Sequence, residues 1–354
     1  MSKVPAPIVW ENGKLLLLDQ RLLPLEEKMV ICQTIEETHD AIRDMVVRGA
    51  PCIGFTAIYG LALWLKMQKT FSWDEFSKAA TYLKGARPTA VNLMFEIDRV
   101  QEQVKKNLSQ LAGIEAIYAY VVKDGDKQID RSIHNNTRMA EFALADLTRR
   151  YGERQLTLMT HCNTGFLACG TLGTALGVIS HAHSHKRVEM VFADETRPYM
   201  QGSRLTAYEL SKEGIPHQLV VEGAASYLMT HKKIDAIFVG ADRIAANGDT
   251  ANKVGTATLA IVAKHYGVPF YVVAPLSSFD FSMVSGQEIE IELRHEDEIL
   301  SYRGHRVAPA NSRALNPSFD VTPANLISGI ICETGLVLEP TTKTMRTLLE
   351  KKDV

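Results

Sequence analysis

The strongest constraint on the fold is a series of short apolar runs in the second half of the chain. From Gln155 onward they recur roughly every 20 to 35 residues, each followed by a segment with helical spacing: LTLMTHC, VEMVFADE, HQLVVEG, AIFVGAD and FYVVAP. Continuous Val, Ile and Leu runs that alternate with helices are typical of a parallel sheet covered on both faces. We therefore predict a doubly wound α/β domain, in which ligands bind outside the carboxyl ends of the strands.

The first half of the chain has a different pattern. Between residues 8 and 35 short apolar runs alternate with turn signals, and Asn12-Gly13 predicts a β-hairpin. From Thr38 to about Lys123 apolar residues recur at helical spacing. The polar segment KDGDKQ that begins at Lys123 predicts a turn or flexible segment, and therefore a domain boundary.

These patterns predict an α/β protein of two domains. Residues 1–130 are expected to form a small, mostly helical N-terminal domain with a short antiparallel sheet. Residues 131–354 are expected to form the parallel-sheet domain, and the carboxyl ends of its strands are the expected ligand site.

Composition excludes several classes of protein. Of 354 residues, 46% are hydrophobic and 23% charged, which is outside the range of disordered, collagen-like or coiled-coil chains. The formal net charge of -2 provides no global positive field for nucleic acid or an anionic membrane. Five cysteines without a C-x-x-C pair indicate neither a disulfide framework nor a zinc knuckle.

The apolar segments predict the cellular location. The N-terminal sequence carries two prolines and a charge where a signal peptide needs a continuous apolar stretch. The longest early apolar run, Leu15 to Leu18, is far shorter than the roughly 20 residues that cross a bilayer. We expect a cytoplasmic protein that binds neither membrane nor nucleic acid.

Two predicted strand ends carry residues capable of acid–base chemistry. Cys162 lies in THCNTG, where backbone N–H groups or nearby cations lower the pKa of a thiol. The alternative is a small buried hydrophobe, but polar neighbours such as His161 and Asn163 favour chemistry. Asp242 ends the run AIFVGAD and is either a helix N-cap or an acid whose pKa is raised by burial.

Three segments have the composition of anion sites. The segment NKVGT (residues 252–256) offers an amide, a cation and a Gly-Thr helix start, which predicts a phosphate cradle. RGAP from Arg48 and RPT from Arg87 each place an arginine before a proline that suits a first helical turn. The alternatives are a solvated Lys253 and two capped helices with surface arginines.

The sequence indicates no metal site. His181, His183 and His185 alternate in a segment predicted as a loop, which provides no rigid ligand geometry. The chain contains no GxGxxG after a strand, no P-loop, no GxSxG and no HExxH, which excludes common nucleotide-binding and hydrolase templates.

Taken together, six segments resemble the methylthioribose-1-phosphate isomerases of methionine salvage. They are RGAPCIGFTAIYG (48–60), ARPTAVNL (86–93), THCNTG (160–165), ADETRPYMQGSRLTAYEL (193–210), VGADRIAANGDTANKVGT (239–256) and NPSFDVTP (316–323). The resemblance implies an aldose–ketose isomerase of a sugar phosphate, with a small N-terminal domain, a Rossmann-like C-terminal domain, a homodimeric assembly and no cofactor.

The resemblance also implies roles for single residues. Cys162 would be the base or transition-state group and Asp242 the proton donor. The residues that would hold substrate are Arg48, Gly49, Ala50, Arg87, Gln201, Asn252 and Lys253. The family looks related to ribose-1,5-bisphosphate isomerase and to regulatory subunits of a translation initiation exchange factor. An isomerase of ribose 1,5-bisphosphate or 5-deoxyribose 1-phosphate and a noncatalytic scaffold are therefore the alternatives.

Overall fold

A computed structural model describes residues 3–87, 91–302 and 304–350. The chain forms two compact units. The first comprises Met1–Asn135 and Gly165–Gly173, and the second Asn136–Thr164 and Thr174–Val354.

The first unit contains a three-stranded antiparallel sheet, in the order β1-β2-β3, and a set of helices. Its elements are β1 (Ile8–Glu11), β2 (Lys14–Leu18), β3 (Met29–Cys32), α1 (Ile35–Arg43), α2 (Ala50–Lys66), α3 (Trp73–Lys84), α4 (Val91–Asn107), α6 (Phe166–Cys169) and the first part of α5 (Ile114–Tyr151). The predicted hairpin is confirmed, because Asn12 and Gly13 join β1 to β2 with φ angles of 53° and 68°. Such positive φ angles are those that a tight hairpin turn requires.

The segment KDGDKQ does not form the predicted turn. Helix α5 runs through it without a break, and the proposed boundary between residues 130 and 131 lies inside this helix. Asp124 accepts a hydrogen bond of 3.0 Å from Arg99, and Asp126 accepts one of 2.7 Å from the Tyr59 hydroxyl. Polar residues that are satisfied by tertiary partners can therefore continue a helix. The predicted domain limits stay a prediction.

The second unit begins with the rest of α5 and contains the parallel sheet. Its further elements are β4 (Leu156–Thr160), α7 (Ala175–Ser184), β5 (Val188–Asp194), α8 (Ala207–Glu213), β6 (His217–Val220), α9 (Ala225–His231), β7 (Ala236–Val239), β8 (Arg243–Ala245), β9 (Thr250–Lys253), α10 (Thr256–Tyr266), β10 (Phe270–Val273), β11 (Phe279–Asp280), α11 (Asp297–Leu300), β12 (Ser301–Tyr302), β13 (His305–Arg306), β14 (Phe319–Thr322), β15 (Gly329–Cys332), β16 (Gly335–Leu338) and α12 (Thr342–Glu350).

Seven strands form the main sheet of this unit, in the order β16-β15-β10-β7-β4-β5-β6. All neighbours pair in parallel except β15 and β16, which are antiparallel. The predicted parallel sheet is confirmed, since each apolar run of the sequence forms one of its strands. From β4 the chain adds β5 and β6 on one side, and then β7, β10 and β15 on the other side. The crevice between β4 and β7, where the strand order reverses, is where doubly wound sheets bind ligands. A second sheet has the order β11-β8-β9-β14.

The remaining sequence features have these outcomes. His181 and His183 lie in the last turn of α7 rather than in a loop, so that part of the prediction is wrong. Among the residues that the structure describes, no group of three or more His, Cys, Asp or Glu side chains could hold a metal ion, and no helix is long and apolar enough to cross a bilayer. All five cysteines are buried, and none forms a disulfide.

Candidate active site

The two predicted acid–base residues follow neighbouring strands of the main sheet. Cys162 follows β4, and Asp242 follows β7, which pairs in parallel with β4. A Cβ placed on Gly240, just after β7, would lie 2.5 Å from Cγ2 of Thr164, so the two strand-end loops pack closely. The carboxyl ends of parallel strands meet at one edge of a sheet. The fold therefore brings Cys162 and Asp242 to the same edge.

Cys162 is held in an unusual backbone conformation. Its φ is 63°, and the residue is only 5% exposed. The Cys162 N–H donates to the Thr196 hydroxyl at 2.9 Å, and the Thr206 hydroxyl donates to the Cys162 carbonyl at 2.6 Å. A left-handed residue other than glycine costs on the order of 1–3 kcal/mol and persists only where its surroundings impose it. Threonines from the loop and helix after β5 provide that restraint.

The loop after β5 is itself tightly constrained. Thr196 and Met200 have φ angles of 64° and 60°. The Glu222 carboxylate accepts the N–H groups of Thr196 and Arg197 at 2.9 and 2.8 Å. This loop therefore forms a rigid support for the turn that carries Cys162.

Gln201 ends the same loop and is 5% exposed. Its side-chain oxygen Oε1 is buried and has no hydrogen-bond partner among the described residues. Buried polar atoms of proteins are almost always hydrogen-bonded, and an exception calls for a partner such as a ligand or water. Gln201 is thus suited to binding a polar group.

Asp242 is half-buried, and its backbone N–H donates to the Ala251 carbonyl at 2.9 Å. Strand β8, not a helix, follows it. The N-cap interpretation of Asp242 is therefore wrong, and its role as an acid stays a prediction.

Lys253 is not a freely solvated charge. Its Nζ donates to the Ser318 carbonyl at 2.7 Å and lies 4.6 Å from the centroid of the Phe319 ring. Its neighbour Asn252 is 3% exposed and donates from Nδ2 to the Thr256 hydroxyl at 3.0 Å. Both side chains have fixed positions at the end of β9.

The predicted phosphate cradle at the start of α10 is wrong in one respect. The N–H groups of Gly255 and Ala257 donate to the two carboxylate oxygens of Asp320, at 2.7 and 3.0 Å. A carboxylate of this protein thus occupies the helix N-terminus where we expected a phosphate. Burial raises the pKa of Asp320, against the lowering effect of these two hydrogen bonds.

A buried pair that sequence reasoning missed lies beside Cys162. Nδ1 of His161 lies 3.0 Å from Oδ2 of Asp194, and Nε2 lies 2.9 Å from the Val254 carbonyl. Burial lowers the pKa of His161, but the contact with Asp194 outweighs it and the net shift is upward; burial also raises the pKa of Asp194. Because the Val254 carbonyl can only accept, Nε2 carries a hydrogen, and the contact between Nδ1 and Oδ2 needs one further hydrogen between these two atoms. The sequence signal that could have indicated this pair is that His161 and Asp194 each lie at the end of a predicted strand.

The predicted substrate residues of the first unit lie at helix ends. Arg48 and Gly49 precede α2, and Ala50 is the first residue of this helix. Gly49 has a φ of 91°. A Cβ on Gly49 would lie 2.3 Å from the Ala168 carbonyl oxygen, so only glycine fits. The predicted helix start is confirmed here.

Arg87 is the last described residue before a gap, and α4 begins at Val91. The predicted proline at the helix start and its capping threonine, Pro88 and Thr89, lie outside the described residues.

The fold and the strand-end residues define a class: a doubly wound α/β protein with a polar site at the switch point of its sheet. The sequence profile of the Initiation factor 2 subunit family matches residues 46–339. A methylthioribose-1-phosphate isomerase of Caldicellulosiruptor saccharolyticus is 45% identical over 97% of this chain and 98% of its own length. The chain belongs to the Initiation factor 2 subunit family and, within it, to the methylthioribose-1-phosphate isomerases.

Two solved structures are similar to the whole chain. The crystal structure of 5-methylthioribose 1-phosphate isomerase from Pyrococcus horikoshii OT3 has a TM-score of 0.90 and 39% identity, and covers 99% of this chain and 97% of that one. The crystal structure of the translation initiation factor eIF-2B, subunit delta, from A. fulgidus has a TM-score of 0.86 and 34% identity, with 98% and 99% covered.

Proposed function

We propose that this protein is an aldose–ketose isomerase that converts 5-methylthioribose 1-phosphate to 5-methylthioribulose 1-phosphate in methionine salvage. The observation that carries the proposal is the placement of Cys162 and Asp242 after neighbouring parallel strands, at the switch point of the sheet. Relatives that match nearly the whole chain bear the name of this activity.

The first chemical step is opening of the sugar ring. Phosphate on the anomeric oxygen prevents spontaneous opening to a free aldehyde, so the ring oxygen must be protonated as its bond to C1 breaks. In the proposal Asp242 donates this proton and becomes a carboxylate. An acid that is still protonated near neutral pH is needed, and desolvation of a carboxyl group is the usual means to obtain one.

The second step moves hydrogen from C2 to C1. In the proton route the Cys162 thiolate removes the C2 proton, which gives an enol, and the resulting thiol returns the proton to C1. The C2 hydroxyl then loses its proton to the Asp242 carboxylate as the ketone forms, so both groups are restored. In the hydride route hydrogen passes directly from C2 to C1 and Cys162 stabilises the transition state.

Seven residues are proposed to hold the substrate: Arg48, Gly49, Ala50, Arg87, Gln201, Asn252 and Lys253. Two observations support members of this set. The buried Oε1 of Gln201 lacks a partner in the described structure and matches a sugar hydroxyl. The fixed ammonium of Lys253 matches a phosphate.

We propose further that the enzyme is a cytoplasmic homodimer, that residues 131–354 are its Rossmann-like catalytic domain, and that the reaction needs no cofactor. The five cysteines form no disulfide, which suits a reducing compartment.

A substrate panel tests the proposal. The purified protein is incubated with 5-methylthioribose 1-phosphate, ribose 1,5-bisphosphate and 5-deoxyribose 1-phosphate, without added metal or nucleotide, and ketose formation is measured. We expect the methylthio sugar to give the highest kcat/KM. A methylthio group favours an apolar pocket, whereas a second phosphate favours additional cations. Preference for the bisphosphate would contradict the assigned substrate.

A noncatalytic regulatory scaffold is the second candidate, because of the 34% identity to a structure named as an initiation factor subunit. For a scaffold, all three sugars would remain unconverted even at stoichiometric enzyme, while phosphorylated ligands would still raise the Tm. Turnover that is lost in Asp242→Asn would exclude this candidate.

A further inference from the structure

The sequence motif NPSFDVTP has no role in the chemistry described above, yet it lies beside two proposed substrate residues. Strand β14 pairs in antiparallel fashion with β9, so that Phe319 lies opposite Lys253 and Asp320 opposite Asn252. The motif therefore forms the backing strand of the segment that carries both residues.

Two groups of this strand contact the Lys253 side chain. The Ser318 carbonyl accepts from Nζ at 2.7 Å, and the Phe319 ring presents its face 4.6 Å away. A cation at this distance from a ring centroid is within the range of a cation–π interaction.

The Ser318 backbone is itself held on both sides. Its N–H donates to the Glu292 carbonyl at 2.9 Å, and its carbonyl also accepts the Val254 N–H at 3.1 Å. Ser318 is 2% exposed. The acceptor for the ammonium is therefore part of a rigid, buried backbone.

Neither of these two contacts neutralises the lysine charge. Burial raises the pKa of the Asp320 and Glu298 carboxyls, and the Lys253 charge is among the influences that lower it. The two oxygens of Asp320 accept the N–H groups of Gly255 and Ala257. The Ser318 carbonyl and the Phe319 ring face restrict the position of the ammonium without themselves carrying a charge.

From this geometry we propose that Phe319 is a positioning residue, which fixes the Lys253 ammonium in advance for the substrate phosphate. The inference rests on the proposed function, and specifically on Lys253 as a phosphate ligand. A lysine has a flexible four-carbon side chain, and ordering it before binding removes that entropy cost from the binding step. Because the phosphate is held in the ground state as well as the transition state, Phe319 should affect KM rather than kcat.

The test compares Phe319→Leu, which removes the ring face, with Phe319→Tyr, which keeps it. We expect Phe319→Leu to raise KM about threefold to tenfold, the effect of losing a cation–π contact, with kcat within about twofold of wild type. Phe319→Tyr should restore the wild-type KM. Phe142→Leu is the matched control, because the Phe142 ring contacts Arg138, a cation that has no role in the proposed site. The KM of this variant should equal that of wild type.

A double-mutant comparison separates positioning from a structural effect. In a Lys253→Ala background, Phe319→Leu should cause no further rise in KM. An equal rise in both backgrounds, a loss confined to kcat, or an unchanged KM in Phe319→Leu would overturn the proposal. Should the leucine variant fail to fold, Phe319→Met also lacks a π face and carries the same expectations.

Binding of inorganic phosphate, measured by calorimetry, makes the test independent of turnover. The dissociation constant should rise by the same factor in Phe319→Leu and not in Phe142→Leu. If wild type isomerises no sugar of the panel but this binding pattern holds, the proposed function fails while the role of Phe319 stands. If wild type isomerises the sugar and phosphate binds Phe319→Leu as well as wild type, the inference alone fails.

Discussion

At the scale of single residues, hydrogen bonds to the Cys162 backbone fix the direction of its side chain. The hydroxyls of Thr196 and Thr206 hold its N–H and its carbonyl, respectively. The same residue could not keep a φ of 63° on local preference alone. Such restraint is expected where a reacting group must be positioned within a fraction of an ångström.

We predict that Cys162→Ala and Asp242→Asn each lower kcat at least about a hundredfold, the usual effect of losing an acid–base group. Steady-state kinetics with 5-methylthioribose 1-phosphate measures the effect, and circular dichroism controls for folding. Asn247→Ala, a change in a turn of the same unit, is a control with near wild-type turnover expected. Wild-type turnover in either active-site variant would refute the role assigned to that residue.

The pH dependence distinguishes the two routes of hydrogen transfer. If Cys162 acts as a thiolate and Asp242 as a neutral acid, activity requires a pH above the thiol pKa and below the carboxyl pKa. The profile of kcat/KM is then bell-shaped. Ordinary values, about 8.5 for Cys and about 3.9 for Asp, are in the opposite order, so the site must change at least one of them.

Profiles of wild type and Cys162→Ser, together with iodoacetamide inactivation over the same range, provide the measurement. The serine variant should lose the acid limb. In the hydride route the wild type lacks the acid limb and keeps the alkaline limb from Asp242. A wild-type profile without an acid limb, with alkylation only above about pH 8, would exclude the thiolate base.

At the scale of secondary-structure elements, the π-helical segment Gly202–Thr206 lies directly against the end of β5. A Cβ on Gly202 would lie 1.5 Å from the Asp194 carbonyl oxygen, a distance that no side chain can accept. We predict that Gly202→Ala lowers the free energy of unfolding by more than about 4 kcal/mol or prevents folding. Urea unfolding measures this change.

Gly223→Ala is the matched control, because its Cβ would meet no atom within 4 Å. It should stay within about 0.5 kcal/mol of wild type. Equal stability of the two variants would mean that the segment can move away from β5 at little cost.

Helix α5 is linked to β10 through a buried carboxylate. Tyr271, which is 1% exposed, donates its hydroxyl to Asp146, which also accepts from Arg149 and Arg150. Burial raises the pKa of Asp146, but these three donors outweigh it and hold the pKa below its usual range. The ionised carboxylate therefore stabilises the fold at pH values above the usual Asp pKa. This contribution is lost as the pH falls through the lowered pKa of Asp146 in the folded protein.

We predict that Tyr271→Phe lowers the free energy of unfolding by about 1.5–3 kcal/mol at neutral pH, the usual contribution of a hydrogen bond to a charged group. The deficit should shrink as the pH falls below the usual Asp range and through the lowered pKa of Asp146, because the carboxylate is then protonated in both folded proteins. Tyr227→Phe, at a 61% exposed position, is the control and should be neutral. A deficit that is independent of pH would show that the loss is one of packing alone.

At the scale of the whole molecule, the edge of the main sheet suggests where the proposed homodimer forms. Strand β6 is an edge strand, and Leu219 and Val221 at its end are 45% and 57% exposed. Exposed apolar edges favour association, and natural proteins usually cover them.

We predict a dimer mass in light scattering and a shift toward monomer in Val221→Glu. Val284→Glu, at a 71% exposed position away from β6 in sequence, should remain dimeric. A monomeric wild type would refute the homodimer.

Local sequence patterns determined much of the architecture. The Asn12-Gly13 hairpin, the helix that follows Gly49 and the parallel strands were predictable, because each depends on a few adjacent residues or on a short period of apolar side chains. The strand ends also directed attention to Cys162 and Asp242, since parallel strands present those ends at one edge. Their catalytic roles stay predictions.

The tertiary structure alone decided the features that depend on distant partners. KDGDKQ is helical because Tyr59 and Arg99 satisfy its carboxylates, and the start of α10 is closed because Asp320 reaches its amides from β14. His161 gains a role only when β5 brings Asp194 beside it. A polar side chain has the same local preferences whether it faces water or a buried partner. Only the folded chain, which sets the distance between residues far apart in sequence, determines which of the two it meets.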